Sequence, residues 1–201
     1  MVTSTNSVFQ KMFQDAEKAG ITLNNSRQSL EWLRRKYGTI KPSDVTEKKF
    51  ISDADRRRRA ALVGRLYMFL YNPKYKAELP YYDRFPLVFP FERVKGGFYG
   101  LNIHYLPPLF RVRLMDSLYD VLSNTKMDET TRLKINYQIL NGASKYRWFK
   151  PCVKHYLTSH MQSSLIYIEP TEWNLAIFLP CEQFRKDTKQ SVWQDSRSMI
   201  T

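Results

Sequence analysis

Residues 64–109, GRLYMFLYNPKYKAELPYYDRFPLVFPFERVKGGFYGLNIHYLPPL, carry three aromatic or aliphatic runs, at 65–71, 86–93 and 98–105. Each run is bounded by Gly, Pro or Asn, which predicts three strands. Val94-Lys95-Gly96-Gly97 separates the second run from the third, and paired glycines supply the positive backbone angles of a tight hairpin turn. Leu66 to Tyr71 is an unbroken apolar row rather than an alternating one, so both faces of the sheet must be covered. Pro86 and Pro90 cannot donate to a ladder, which puts the second strand at a sheet edge or breaks it with a bulge. The expectation is an α+β fold with a small, curved antiparallel sheet, open or barrel-like, packed by helices.

Outside that stretch the apolar residues recur at helical spacing. One helix is predicted over 8–19, stopped by Gly20, and a second runs from a Ser26 cap to Gly38, with Arg34, Arg35 and Lys36 in its last turn, where cations favour the helix dipole. Residues 39–52 have no strong period and read as a linker. A helix over 107–123 buries Leu114 and Leu118, and another runs from an Asp128 cap to a stop at Asn141-Gly142. Leu165 to Ile168 is a fourth strand, while 171–179, with Thr171 as a cap, fits a short helix or a strand. The 201-residue chain thus divides into an N-terminal helical arm and linker (1–52), an α+β core (53–185) and a C-terminal tail (186–201). The tail holds Val192, Trp193, Met199 and Ile200 as its large apolar groups and is expected to dock on something else.

Charge narrows the function. Lys and Arg number 32 against 19 acids, a net of +13, and successive blocks 1–50, 51–100, 101–150 and 151–201 carry +4, +5, +4 and 0. A basic body of this size points to a polyanion, most commonly nucleic acid. The first residues lack the apolar core of a secretory signal, and no run approaches the roughly 18 apolar residues that span a bilayer. Synthesis in the cytoplasm and no membrane partner are expected. The two cysteines, Cys152 and Cys181, suit a reducing compartment and free thiols.

Two segments could meet that polyanion. Arg56, Arg57, Arg58 and Arg59 form an unbroken run of guanidinium forks, each able to hold phosphate bidentately, although Asp53 and Asp55 could also pair with them on a solvated helix end. Residues 145–156 interleave Lys145, Arg147, Lys150 and Lys154 with Tyr146, Trp148, Phe149 and Tyr156. Cations that track phosphates and aromatic faces that stack on bases make up the composition of a frayed-end binder, and an aromatic cluster anchoring a helix at Pro151 is the bland alternative.

Other chemistry finds little support. Cys152 and His155 share a helical face at i, i+3, but His160 falls elsewhere and no zinc-finger spacing results. Asp83, Glu92 and Lys95 suggest a metal-dependent nuclease, yet residues three apart in a strand face opposite sides, so Asp83 and Glu92 are expected to pair with Arg84 and Arg93. No glycine-rich phosphate loop precedes a helix. Neither catalysis, metal nor cofactor is expected.

The order of motifs carries a resemblance. Leu79-Pro80-Tyr81-Tyr82-Asp83-Arg84-Phe85-Pro86-Leu87-Val88-Phe89-Pro90, then Gly97-Phe98-Tyr99-Gly100-Leu101-Asn102-Ile103-His104-Tyr105-Leu106-Pro107, resembles the DNA end protector proteins of T-even-type tailed phages. Arg113 to Asp120, Tyr146 to Cys152, Trp173, Leu179-Pro180 and Asp195-Ser196-Arg197 extend the likeness over roughly 64–200. The resemblance implies a virion protein that sits on the ends of the packaged linear genome and blocks a host RecBCD-type exonuclease by steric occlusion. It carries no catalytic residue. The partners it implies are double-stranded DNA ends, with virion head proteins and the exonuclease itself as further ones. A structural head or neck protein that touches packaged DNA without end specificity is the rival reading.

Overall fold

The computed structural model describes residues 8–200 except 24–26, 42–45, 108–109, 113, 116–117 and 119–125. The side chains of Val8, Tyr37, Glu129, Leu133 and Trp148 also lie outside the described residues. Eight described strands are β1 (Arg57–Arg58), β2 (Leu66–Met68), β3 (Tyr82–Asp83), β4 (Leu87–Val94), β5 (Gly97–Asn102), β6 (Val153–Leu157), β7 (Leu165–Ile168) and β8 (Phe184–Arg185). Six form one antiparallel sheet in the order β1-β7-β2-β4-β5-β6, and β3 pairs with β8. The α-helices described without interruption are α1 (Val8–Lys18), α2 (Arg27–Tyr37), α3 (Glu47–Ile51), α4 (Glu129–Lys145), α5 (Trp173–Ala176) and α6 (Lys189–Ile200). The α+β class holds, and the sheet is open rather than closed.

The hairpin lies where the glycines place it, with Gly96 at φ +80° and Val94 opposite Gly97. The second strand is central rather than at an edge, flanked by β2 and β5, and it carries the bulge, between Pro90 and Glu92. Pro90 is tolerated there because the β2 ladder ends at Val88, so its missing donor has no strand partner, while its carbonyl accepts from the Gly64 N–H at 3.1 Å. The third run stops being a strand at Asn102, whose side chain accepts from the His104 N–H at 3.1 Å and opens a 3₁₀ turn over Ile103–Tyr105.

The unbroken row 66–71 resolves into two buried faces. Leu66 and Met68 enter a large core with Leu87, Phe89 and Leu101, covered by Phe9 and Met12 of α1, Leu33 of α2, Phe50 of α3, Leu140 of α4, Trp173 of α5 and Val192 of α6. Tyr67, Phe69 and Tyr71 turn the other way, into a second cluster with Val88, Phe98, Tyr156 and Leu165. That cluster measures the curvature. In a flat sheet β2 and β6 would stand about 14 Å apart, three strand spacings. Instead the rings of Tyr71 and Tyr156 are 4.9 Å apart and Tyr71 Oη accepts from the Leu157 N–H at 3.1 Å, so the sheet curls with its aromatic face inward.

Several helical expectations need correction. The linker at 39–52 contains α3, because Phe50 reaches the core between Phe9 and Phe85. Asp128 caps α4 as expected, accepting from the Thr131 N–H at 3.0 Å, but the helix runs through Asn141-Gly142 to Lys145. The segment at Pro151 is a 3₁₀ helix, Arg147–Cys152, that leads directly into β6 rather than an α-helix. Residues 170–176 are helical, and the cap is Glu169 rather than Thr171: Glu172 accepts from the Glu169 N–H at 3.1 Å, with Pro170 at the first helical position. The tail forms α6, which buries Val192, Ser196 and Ile200, and Trp193 Nε1–H donates to the His104 carbonyl at 2.8 Å. Of the helix predicted over 107–123, positions 110–112, 114–115 and 118 are described and helical, and Pro107 precedes them with its carbonyl accepting from the Phe110 N–H at 2.9 Å; the other positions, like the Ser26 cap, lie outside the described residues.

Candidate nucleic-acid interface

The four adjacent arginines separate by strand parity and by partner. Arg56 precedes β1 and turns inward, donating to both oxygens of Glu172 at 2.5 and 2.6 Å and to Asp53 at 2.9 Å. Its guanidinium also lies 5.2 Å from the Phe9 ring centroid. The Glu172 hydrogen bonds raise its already high pKa against the opposing effect of burial. Arg56 therefore ties the start of the sheet to the core. Arg57 and Arg58 in β1 are exposed and point to opposite faces, Arg57 donating twice to the Ile51 carbonyl at 3.0 and 2.8 Å. Arg58 stands opposite Leu165 on the inner face and donates to the Asp55 and Arg57 carbonyls at 2.6 and 2.9 Å. Arg59 is exposed.

The segment 145–154 divides as well. Lys145, Tyr146, Arg147 and Lys150 are exposed, with Tyr146 at 65% and Arg147 Nε donating to the Met199 carbonyl at 3.4 Å. Phe149 packs against the large core. The side chain of Trp148 lies outside the described residues. Lys154 belongs to β6, opposite Gly100, and its Nζ sits 4.0 Å from the Tyr105 ring centroid, where burial lowers its pKa. Tyr156 is buried in the inner cluster.

Two arginines that charge-run reasoning overlooks join Arg58. Arg65 lies two residues before Tyr67 and so shares its face, and Arg93 stands opposite Phe98, another inner-face residue. Arg58 and Arg65 place their guanidinium carbons 5.5 and 5.4 Å from the centroid of one ring, Tyr167, which packs beside Tyr67 at 5.9 Å. Arg93 is exposed and donates to the Ala61 carbonyl at 3.0 Å. The Tyr67 hydroxyl accepts from the Leu62 N–H at 3.2 Å, one residue along from the carbonyl that holds Arg93, which brings that guanidinium to the same group. Burial raises the Tyr67 pKa, against the Leu62 hydrogen bond and the charges of Arg65, Arg58 and Arg93. Strand alternation from Tyr67 marks Arg65 in the sequence; nothing local marks Tyr167, about a hundred residues downstream.

The carboxylates that suggested a nuclease are otherwise engaged. Asp83 is buried and accepts from Asn102 Nδ2 at 3.2 Å and from the Phe85 and Gln183 N–H groups at 3.1 and 3.2 Å, with His104 Nδ1 at 2.8 Å. Pairing with Arg84 is thus corrected: that arginine lies 3.7 Å from Glu47, because strand β3 turns Asp83 inward. Glu92 is exposed and Arg93 turns to Ala61 instead. Beside this group the buried Arg111 donates to the Leu106 and Ile177 carbonyls at 2.7 and 2.8 Å and to Glu182. Cys152 and Cys181 are buried and in no disulfide, and burial pushes Cys152 up to about 12 and Cys181 well up, which disfavours the thiolate at neutral pH. Among the described residues no group of three or more His, Cys, Asp and Glu could hold a metal, and no helix is long and apolar enough to cross a membrane.

A family model described as phage T4 terminal DNA protecting protein matches residues 2–196, nearly the whole chain and well beyond the motifs at 64–200. No curated protein and no solved structure matches.

Proposed function

The chain belongs to the family of phage T4 terminal DNA protecting proteins, and from that membership we propose that it binds the ends of linear double-stranded DNA and shields them from a host RecBCD-type exonuclease by steric occlusion. The family match is the observation that carries this reading. The net charge of +13 supports it, and so do the outward cations Arg58, Arg59, Lys145, Arg147 and Lys150. In this reading the protein rides in the virion head with the packaged genome and acts without chemistry.

Backbone charge is the same along a duplex, so phosphate contacts alone cannot distinguish a terminus from an interior. A terminus also exposes a base-pair face. Tyr146, exposed between Lys145 and Arg147, is the described aromatic of that segment available to cover it, a stacking contact worth roughly 1–3 kcal/mol. The test compares linear and closed circular DNA of one sequence, with a RecBCD-type nuclease added to the linear sample. Wild type should preserve the linear DNA, and Tyr146→Ala should lose protection while keeping its affinity for the circle. Equal binding to both forms with complete digestion of the linear DNA would instead favour a structural head protein.

A further inference from the structure

We propose that Arg58, Arg65 and Arg93, gathered around Tyr167 and Tyr67 on the inner face of the sheet, form the site that grips backbone phosphates of the bound DNA; this rests on the DNA-binding reading above. Arg58 and Arg65 share one ring, so their charges lie within about twice the 5.5 Å that separates each from its centroid. Charges at that spacing, about one screening length in physiological salt, both attract an anion that sits between them. Arg58 and Arg93 have no ion-pair partner among the described residues, their described hydrogen bonds being to main-chain carbonyls. Exposed Glu169, which acts on the Tyr167 hydroxyl, offsets only one of the three charges.

Arg56 shows what the chain does with an arginine it needs for the fold: it supplies two carboxylates and a phenyl ring. For Arg58 the ring is supplied, but its described hydrogen bonds reach main-chain carbonyls and no carboxylate. A guanidinium resting against an aromatic ring loses rotational freedom without losing all its N–H donors, and a pre-oriented fork matches the oxygens of a phosphate. Behind the cluster Tyr67, Phe69 and Phe98 are buried, so the charges stand against a low-dielectric wall that directs their field outward. The three arginines come from β1, the approach to β2 and the end of β4, so they hold a fixed relation to one another that a flexible basic tail does not have.

The experiment compares two triple variants that remove the same net charge, Arg58→Gln/Arg65→Gln/Arg93→Gln and Lys11→Gln/Lys18→Gln/Lys134→Gln, the latter from exposed helical positions. Affinity for a linear duplex is measured from low to moderate salt, with thermal melting to confirm folding. The arginine variant should reduce the log-log salt slope by about 2 to 3, roughly 0.9 per lost phosphate, and should bind about tenfold more weakly than the lysine variant at fixed salt. Single Arg93→Gln, whose described contact is one carbonyl, should give about a third of the slope change and serves if the triple variant does not fold. If the unaltered protein binds DNA and the two triple variants weaken it equally, the proposal fails while the DNA-binding reading stands. If the unaltered protein does not bind, both fall.

Discussion

Arg56 and Arg57 are chemically identical neighbours with opposite structural weight. Arg56 keeps 16% side-chain exposure and Glu172 keeps 7%, so removing the guanidinium strands a nearly buried carboxylate, whereas Arg57 is exposed and bonds only to a carbonyl. Arg56→Gln should therefore cost roughly 3 kcal/mol, the low end for breaking a buried pair because some solvent reaches the arginine, and Arg57→Gln roughly 0.5 kcal/mol or less. Urea denaturation of the two variants checks this, and equal midpoints would show that the Glu172 pair carries no more than a surface contact. The run of four was legible as a concentration of charge. Its division was not, since Glu172 lies 116 residues from Arg56 and no local period points to it.

The helix and strand glycines illustrate what an element's sequence reveals. In β5 a Cβ on Gly97 would sit 2.0 Å from the Tyr156 carbonyl oxygen, and one on Gly100 2.3 Å from Val88 Cγ1, so β5 can lie against both neighbours only without side chains at those positions. In α4 a Cβ on Gly142 would meet nothing within 4 Å. Gly142→Ala should consequently raise stability by about 0.5–1 kcal/mol, the helix-propensity difference, while Gly97→Ala should lower it by about 1–3 kcal/mol or more because the clash is with main chain. Thermal melting of both variants decides it; a destabilised Gly142→Ala would mean that the space beside Gly142 is not open to a methyl group. The hairpin and the bulge were readable because Gly96-Gly97 and Pro90 act within a few residues. The end of α4 was misread because Asn141-Gly142 is a stop signal only when the chain has somewhere else to go, and Leu140 and Ala143 on the core face hold the helix through it.

At the scale of the molecule, the charged cluster in the interior sets the response to acid. Composition marked a basic chain and pointed to a polyanion, but Arg111 and Glu182 are 71 residues apart, and their pairing follows from how the segment between α5 and β8 packs against the chain after the 3₁₀ turn. Burial alone would raise the Glu182 pKa, yet the Arg111 charge, His104 and the Arg111 hydrogen bond outweigh it and hold the carboxyl below its ordinary 4.5. A carboxyl whose folded pKa is depressed adds stability that is fully present above its unfolded value and is lost as pH falls through the folded one. Stability in urea should thus change little through Glu182 between pH 7 and pH 5 and decline below pH 4.5. Glu182→Gln leaves Arg111 buried without its anion and should cost roughly 3–5 kcal/mol at pH 7. That deficit should shrink as the wild-type carboxylate takes up its proton, so the two unfolding curves converge toward pH 3. A deficit that stayed constant across the range would mean that the side chain's shape, rather than its charge, is what Arg111 requires.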